Sequence, residues 1–182
     1  MMSIDIKSVL IGVLGTLLIF ISIGATKQND NLGDITVNSI TVLDNGEGGF
    51  ISTFNKNGEI TSYLGTDNGG NGQLGLHNDH GNKMVLLKTL SESGSLLTFN
   101  SDGKQTTYLG TVDNGKGILE TRNSKGIKTT IIGTLKGENG YLGIYNEHGL
   151  EIVYLGSDTD KDGLIQLKDS FSRTRWERRG KK

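Results

Sequence analysis

Residues 94–116 read GSLLTFNSDGKQTTYLGTVDNGK, and the pattern recurs along most of the chain at a spacing of 22 or 23 residues. A sixth copy, starting at Gly163, stops after seven residues, and residues 40–46 match the second half of a copy. A period of this length is typical of proteins built from one repeated supersecondary unit, so it predicts an array over residues 40–169. The other full copies begin at Gly49, Gly72, Gly117 and Gly140.

Each full copy has an Asn-x-x-Gly quartet at its centre. The Asn side chain can bond its own backbone and Gly readily takes the left-handed conformation, so the quartet predicts a type I turn closed by a glycine bulge. This is the common three-residue hairpin loop. The predicted turn residues are Asn55 and Gly58, Asn78 and Gly81, Asn100 and Gly103, Asn123 and Gly126, and Asn146 and Gly149.

The turn also predicts which residues face each other across a hairpin. In the first copy the expected register places Thr53 opposite Thr61 and Ile51 opposite Tyr63. These four columns hold only aliphatic, aromatic, Met or Thr residues in every copy, so they predict the buried face. The opposite face is mixed, and the Leu64 column is its one consistently apolar position.

These observations predict an all-β fold, an antiparallel β-hairpin repeat meander of about twelve short strands preceded by one transmembrane helix. A parallel β-solenoid is the alternative, because one coil per repeat would stack the same Asn and Gly columns at its corners. The high glycine content, 28 residues of 182 with no proline, suits an array that turns so often.

The N-terminal segment is apolar. Residues 8–26 carry no charge between Lys7 and Lys27, and as a helix they would span about 28 Å, close to the hydrocarbon thickness of a bilayer. We therefore expect a cytoplasmic tail at 1–8, a membrane-spanning helix or signal anchor at 9–25, a tether at 26–39 and an extracytoplasmic array, periplasmic or at the cell surface. The alternative is a signal peptide cleaved near Ala25, which would give a secreted protein.

The repeat resembles known hairpin repeats in style. MORN repeats share a Gly-rich, two-strand unit of 23 residues, and the YD repeats of bacterial surface proteins and toxins place a similar turn between short strands. Residues 40–169 look most like uncharacterised bacterial and phage membrane-anchored proteins with G-x-Φ-x-x-x-N-x-x-G repeats, where Φ is apolar. This resemblance implies an architecture and no reaction.

One acidic loop suggests a ligand. The loop reads Asp-Thr-Asp-Lys-Asp-Gly, and a carboxylate follows at the twelfth position. Alternating oxygen ligands closed by a Gly are what Ca²⁺ binds, although the flanks read as strands rather than EF-hand helices. The alternative is a solvated turn between hairpins. The candidate calcium ligands are Asp158, Asp160, Asp162 and Asp169.

The last segment, residues 170–182, is basic. From Lys168 to the end there are seven Lys or Arg and two acidic residues. Three interpretations remain open: contact with an anionic lipid or glycan surface, packing back as a cap on the final strand, or a disordered end. The candidate surface contacts are Arg173, Arg175, Trp176, Arg178 and Arg179.

No catalytic constellation is evident. The chain has no Cys, which excludes disulfides, thiolate metal sites and cysteine nucleophiles, and it lacks a recognisable triad or phosphate-binding loop. We therefore expect a non-catalytic, membrane-tethered structural, adhesive or binding module at the cell envelope, with no cofactor unless calcium binds and no nucleic-acid partner. Homo-oligomers through edge strands near Ile40 and Leu164 are a further expectation. The alternatives are a phage or virion fibre protein and, less favoured, a secreted glycan hydrolase.

Overall fold

The computed structural model describes residues 5–24, 34–44, 46, 48–112, 115–134 and 138–180. The chain divides into two compact units, Met1–Ile40 and Thr41–Lys182. In the first unit, helix α1 runs from Ile6 to Gly24. The predicted helix is confirmed, but its membrane span gains no support: over the residues described, no helix combines the length and apolarity needed to cross a membrane.

The second unit is one antiparallel sheet in which the strands follow one another in sequence order. The hairpin meander is confirmed, and the parallel solenoid is wrong because every strand pair is antiparallel. The strands are β1 Phe50–Phe54, β2 Ile60–Thr66, β3 Gly72–His77, β4 Lys83–Leu90, β5 Ser93–Phe99, β6 Gln105–Val112, β7 Lys116–Arg122, β8 Lys128–Thr134, β9 Gly140–Tyr145, β10 Glu151–Ser157, β11 Gly163–Lys168 and β12 Thr174–Arg179.

The sheet is open, and its limits differ from the expected array. Each strand contacts only its neighbours in sequence, so β1 and β12 are the two edges. Residues 41–44 are described but form no strand, whereas Thr174–Arg179, expected to lie beyond the array, forms β12. Leu164 therefore lies in β11, which pairs with a strand on each side, rather than in an edge strand.

The five Asn-x-x-Gly turns form as the sequence predicts. In the third, the Gly103 N–H donates to the Asn100 carbonyl at 3.0 Å and the Asn100 N–H donates to the Lys104 carbonyl at 2.9 Å. The Asn100 Oδ1 accepts from the N–H groups of Asp102 and Lys104. The five glycines have φ between 72° and 83°, the left-handed region that they were expected to occupy.

The predicted pairing beyond the turn is wrong by one residue. Thr61 is an extra residue in its strand, so Thr53 pairs with Ser62 and Ile51 pairs with Leu64. Such a bulge gives two residues opposite one, and a one-residue shift moves every following side chain to the other face. The same shift occurs in each hairpin closed by an Asn-x-x-Gly turn and in the last hairpin, at Thr61, Met84, Thr106, Thr129, Ile152 and Arg175.

The bulges separate the sheet into two faces of different character. The face that carries Tyr63, which we call the packed face, contains the buried residues of the sheet. The face that carries Ile51 and Leu64, the open face, is covered by no other strand. The predicted buried face thus combined columns from both sides. Besides Gly75 and Gly143, the buried residues of the packed face are Leu86, Ser95, Leu97, Glu120, Ile131, Tyr141 and Leu164.

Candidate interaction surface

The packed face gains its burial from side chains that lie along the sheet. The hydroxyls of three tyrosines donate to backbone carbonyls three residues further on: Tyr63 to Thr66, Tyr108 to Thr111 and Tyr154 to Ser157. A Cβ at Gly156 would lie 2.7 Å from the Tyr154 Oη, so glycine leaves the space in which this ring lies. Aromatic rings that lie over glycines therefore bury part of this face, although no second sheet packs on it.

Two ion pairs complete the packed face. The buried Glu120 accepts a hydrogen bond from the Arg122 Nε at 2.6 Å. Glu151 pairs with Lys168, and the side chain of Glu151 is 19% exposed and that of Lys168 15%. Burial is the main cause that raises the pKa of Tyr141 above its ordinary range, followed by its hydrogen bond with Tyr145. These charged groups are already bonded to one another, so this part of the sheet is internally satisfied.

The open face carries a continuous aliphatic row. One Leu or Ile from each of the first eleven strands pairs with the next across the sheet, and nine of the eleven expose between 36% and 54% of their surface. The row, called here the Leu/Ile row, consists of Ile51, Leu64, Leu74, Leu87, Leu96, Leu109, Leu119, Ile132, Leu142, Leu155 and Ile165.

The rows beside it are uncharged as well. Toward the loops between hairpins, the open face carries only Thr, Ser and Gly from β2 to β11. Toward the Asn-x-x-Gly turns the neighbouring row mixes hydroxyl and aliphatic residues: Thr53, Ser62, Leu76, Val85, Thr98, Thr107, Thr121, Thr130, Ile144, Val153 and Leu167. From β1 to β11 this face therefore presents no charge, although 21% of the chain is charged.

The hydroxyl groups of this second row bond to one another. The Thr98 Oγ1 lies 2.8 Å from the Thr106 Oγ1 and 2.7 Å from the Thr107 Oγ1. Thr53 forms the same cluster with Thr61 and Ser62. Because the bulge places two hydroxyls opposite one, these polar groups are partly satisfied within the sheet and can be covered at a lower desolvation cost.

The four candidate calcium ligands are not brought together. Asp158, Asp160 and Asp162 lie in the turn before β11, and Asp169 begins the turn after it. The six residues of β11 place these two turns about 20 Å apart. The Asp158 carboxylate accepts from the N–H groups of Asp160 and Asp162. Among the described side chains, no three His, Cys, Asp or Glu are placed to hold a metal.

Asp169 instead anchors the last hairpin. Its carboxylate accepts from the N–H groups of Phe171 and Arg173 and from the Nε atoms of Arg173 and Arg175. Partial burial acts to raise its pKa, but these hydrogen bonds outweigh it and hold the pKa well below the ordinary value. The residue does here what Asn does in the five predicted turns.

The candidate anionic-surface residues have mixed surroundings. Arg173 and Arg175 pair with Asp169, and Arg179 pairs with Glu177 and lies 3.2 Å from Asp158. Arg178 and Trp176 extend the two rows of the open face onto β12, where Trp176 is 49% exposed. The segment thus caps β11, one of the three interpretations left open, and its contact with an anionic surface stays a prediction.

A small pocket opens on the packed face above Gly75. It has a volume of about 150 Å³ and is lined by Tyr63, Leu86 and His77, among others. The buried His77 Nδ1 has no hydrogen-bond partner, and burial followed by the nearby charge of Lys83 lowers the pKa of His77. At the position that lines the pocket as Gly75, the copy 45 residues later has Glu120.

A double repeat of 45 or 46 residues underlies the array and was missed in the sequence. Consecutive turns are joined in pairs: in the second pair, the Asn100 Nδ2 donates to the Ser124 carbonyl at 3.1 Å. Asn55 bonds Asp79 and Asn146 bonds Ser170 in the same way. The signal for this double unit is Tyr-Leu-Gly, which recurs at 63–65, 108–110 and 154–156.

Comparison of the chain with protein-family models and with curated proteins finds no match. The resemblance to membrane-anchored short-repeat proteins therefore stays a prediction. The fold and the character of its two faces are what remain to indicate a function.

Proposed function

We propose that the chain is a non-catalytic structural or binding module that presents the open face of a repeat sheet. The observation that carries this is the contrast between the two faces. The titratable side chains gather on the packed face, where Glu120 and Glu151 are held by Arg122 and Lys168. The open face carries an uncharged surface of aliphatic, Thr, Ser and Gly residues from β1 to β11.

This arrangement suits presentation better than chemistry. General acid–base catalysis needs a titratable group within reach of a substrate, and the open face offers none between β1 and β11. An extended face with a repeat of about 4.8 Å between strands instead suits contact with another regular surface. Attachment of the array to a cell envelope stays a prediction from the apolar segment at 8–26.

The first test is turnover. The chain is incubated with a panel of glycans and cell-wall polymers, and the products are followed by mass spectrometry. The wild type is expected to give no more product than the Glu120→Gln variant, in which the buried carboxyl group is replaced by a neutral amide. Turnover that this substitution abolishes would overturn the proposal in favour of a hydrolase.

The second test removes one double unit. Deleting residues 94–139 joins Ser93 to Gly140, which is the position equivalent to Gly94, and removes β5–β8 apart from Ser93. Because each strand contacts only its neighbours, an eight-strand sheet should still fold cooperatively, with a denaturant m-value reduced roughly in proportion to the lost surface. Failure of this shortened chain to fold would contradict a modular array.

A further inference from the structure

The open face exposes a continuous aliphatic row along eleven strands. Eleven strands about 4.8 Å apart give a Leu/Ile row about 48 Å long, and with the neighbouring row the patch is about 14 Å wide. The two rows together have a projected area of about 700 Å². The Leu/Ile row makes up about half of it, comparable to the largest apolar patch on a typical monomer, and the neighbouring row adds six Thr or Ser and five aliphatic residues. Among the described residues no side chain is fully buried, so the sheet has not built a core of its own.

We propose that a second copy of the chain covers this surface, the two open faces packing against each other as the layers of a β-sandwich. The area on each copy is close to the roughly 800 Å² per partner of a standard interface. Two identical faces share one strand spacing, so rows on both copies can interdigitate along their whole length at the usual separation of about 10 Å. Charge depletion is the compositional mark of an interface core.

The distribution of charge argues for a copy rather than a lipid surface. Segments that lie on membranes usually flank their apolar face with Lys and Arg, whereas the rows beside the Leu/Ile row from β1 to β11 are Thr, Ser, Gly and aliphatic residues. The packed face holds Lys83, Lys88 and Lys128, which would face solvent in the sandwich. Edge-to-edge growth is discouraged at β12, where three arginines and a glutamate are exposed.

Leu109 is the best position for the test, because it lies in a central strand and is 52% exposed. Leu109→Lys removes little packing within one sheet but places a charge in the sandwich. Phe54→Lys is the matched control, since Phe54 is 60% exposed on the packed face. Sedimentation equilibrium of the full chain should give twice the 19.6 kDa chain mass for the wild type and the control.

Leu109→Lys should weaken dimerisation roughly 100-fold or more, as expected for a charge placed in an interface centre. A wild type that stays monomeric at high concentration overturns the proposal. So does association unchanged in Leu109→Lys, which would indicate pairing through α1 or the sheet edges. A monomer whose binding to anionic vesicles is lost in Leu109→Lys would assign the face to lipid instead.

A labelling experiment remains decisive if the lysine variant fails to fold. The chain has no Cys, so Leu109→Cys and Phe54→Cys each carry one thiol. The Leu109→Cys thiol should react with a maleimide more slowly as protein concentration rises, while Phe54→Cys reacts at a constant rate. Protection of Leu109→Cys that does not depend on concentration, in a chain that sediments as a monomer, would mean that the chain's own N-terminal segment covers the face, and would refute the dimer. The proposal goes beyond the proposed function, so its failure leaves the turnover result unaffected.

Discussion

Exchanging a lysine and a glycine between two turns tests the turn geometry at its most demanding position. Five turns place Gly in the left-handed conformation, but the turn that starts at Asp158 places Lys161 there, with φ of 69°. A side chain in this region costs about 1–2 kcal/mol, and Gly costs about 0.5–1 kcal/mol through unfolded-state entropy. Lys161→Gly should therefore stabilise the sheet by about 0.5–1 kcal/mol, and Gly103→Lys should destabilise it by a similar amount.

The neighbourhood of both residues keeps this comparison clean. No atom lies within 4 Å of a Cβ placed on Gly103, and Lys161 is exposed, so packing contributes little to either change. Lys125→Gly is the matched control, since Lys125 is exposed in a turn but has no positive φ. The same substitution there should lower stability by about 0.5–1 kcal/mol.

Thermal unfolding measures all of these variants. A change of 1 kcal/mol moves Tm by about 2–4 °C in a chain of this size, so Lys161→Gly and Lys125→Gly should move Tm in opposite directions. The double variant with Gly103→Lys and Lys161→Gly keeps the net charge and should return close to the wild type, because the two sites share no contacts. Equal losses in Lys161→Gly and Lys125→Gly would refute the reasoning.

Two further predictions concern close packing and charge. A Cβ at Gly110 would lie 2.5 Å from the Gly94 carbonyl oxygen, whereas a Cβ at Gly117 would meet no atom within 4 Å. Gly110→Ala should therefore lower the free energy of unfolding by about 1–3 kcal/mol in chemical denaturation, whereas Gly117→Ala should be neutral or slightly stabilising. Equal effects of the two substitutions would contradict the register. Because the pKa of Asp169 is lowered in the folded state, its stabilisation of β12 is present above the ordinary carboxyl pKa and is lost as pH falls through the lowered pKa. Asp169→Asn, which keeps the turn bonds but loses the pairs with Arg173 and Arg175, should show weaker amide protection of β12 at pH 7 and a smaller loss on acidification. An unchanged exchange profile would argue against these pairs.

The turns could be predicted from the sequence because their chemistry is local. Asn100 and Gly103 need only each other and the three backbone groups between and after them, so the quartet carries the whole signal. The bulge at Thr61 has no such signal, since Thr is equally suited to a paired strand position. Thr53 bonds both Thr61 and Ser62 across the hairpin, but the same shift at Met84 and Ile152 involves no hydroxyl group, so residue type at the bulge does not announce it. The strand between Asp162 and Asp169 could be predicted from the sequence, but the role of Asp169 could not, because its turn lacks the Asn-x-x-Gly quartet.

That single missed residue decides which surface the protein presents. Without the bulge, the Tyr63 and Ile51 columns share one face and the Leu64 column lies alone on the other, so every copy would bury its own apolar residues. With it, the tyrosines lie over glycines on the packed face while Ile51 and Leu64 join in a row that no other strand covers. A sheet arranged in this way holds its charged strand residues from β1 to β11 on the packed face, with Glu120 and Glu151 in ion pairs, and exposes an aliphatic row on the other. Its stability in water should therefore depend on the concentration of whatever covers the Leu/Ile row, which for a second copy means the concentration of the chain itself.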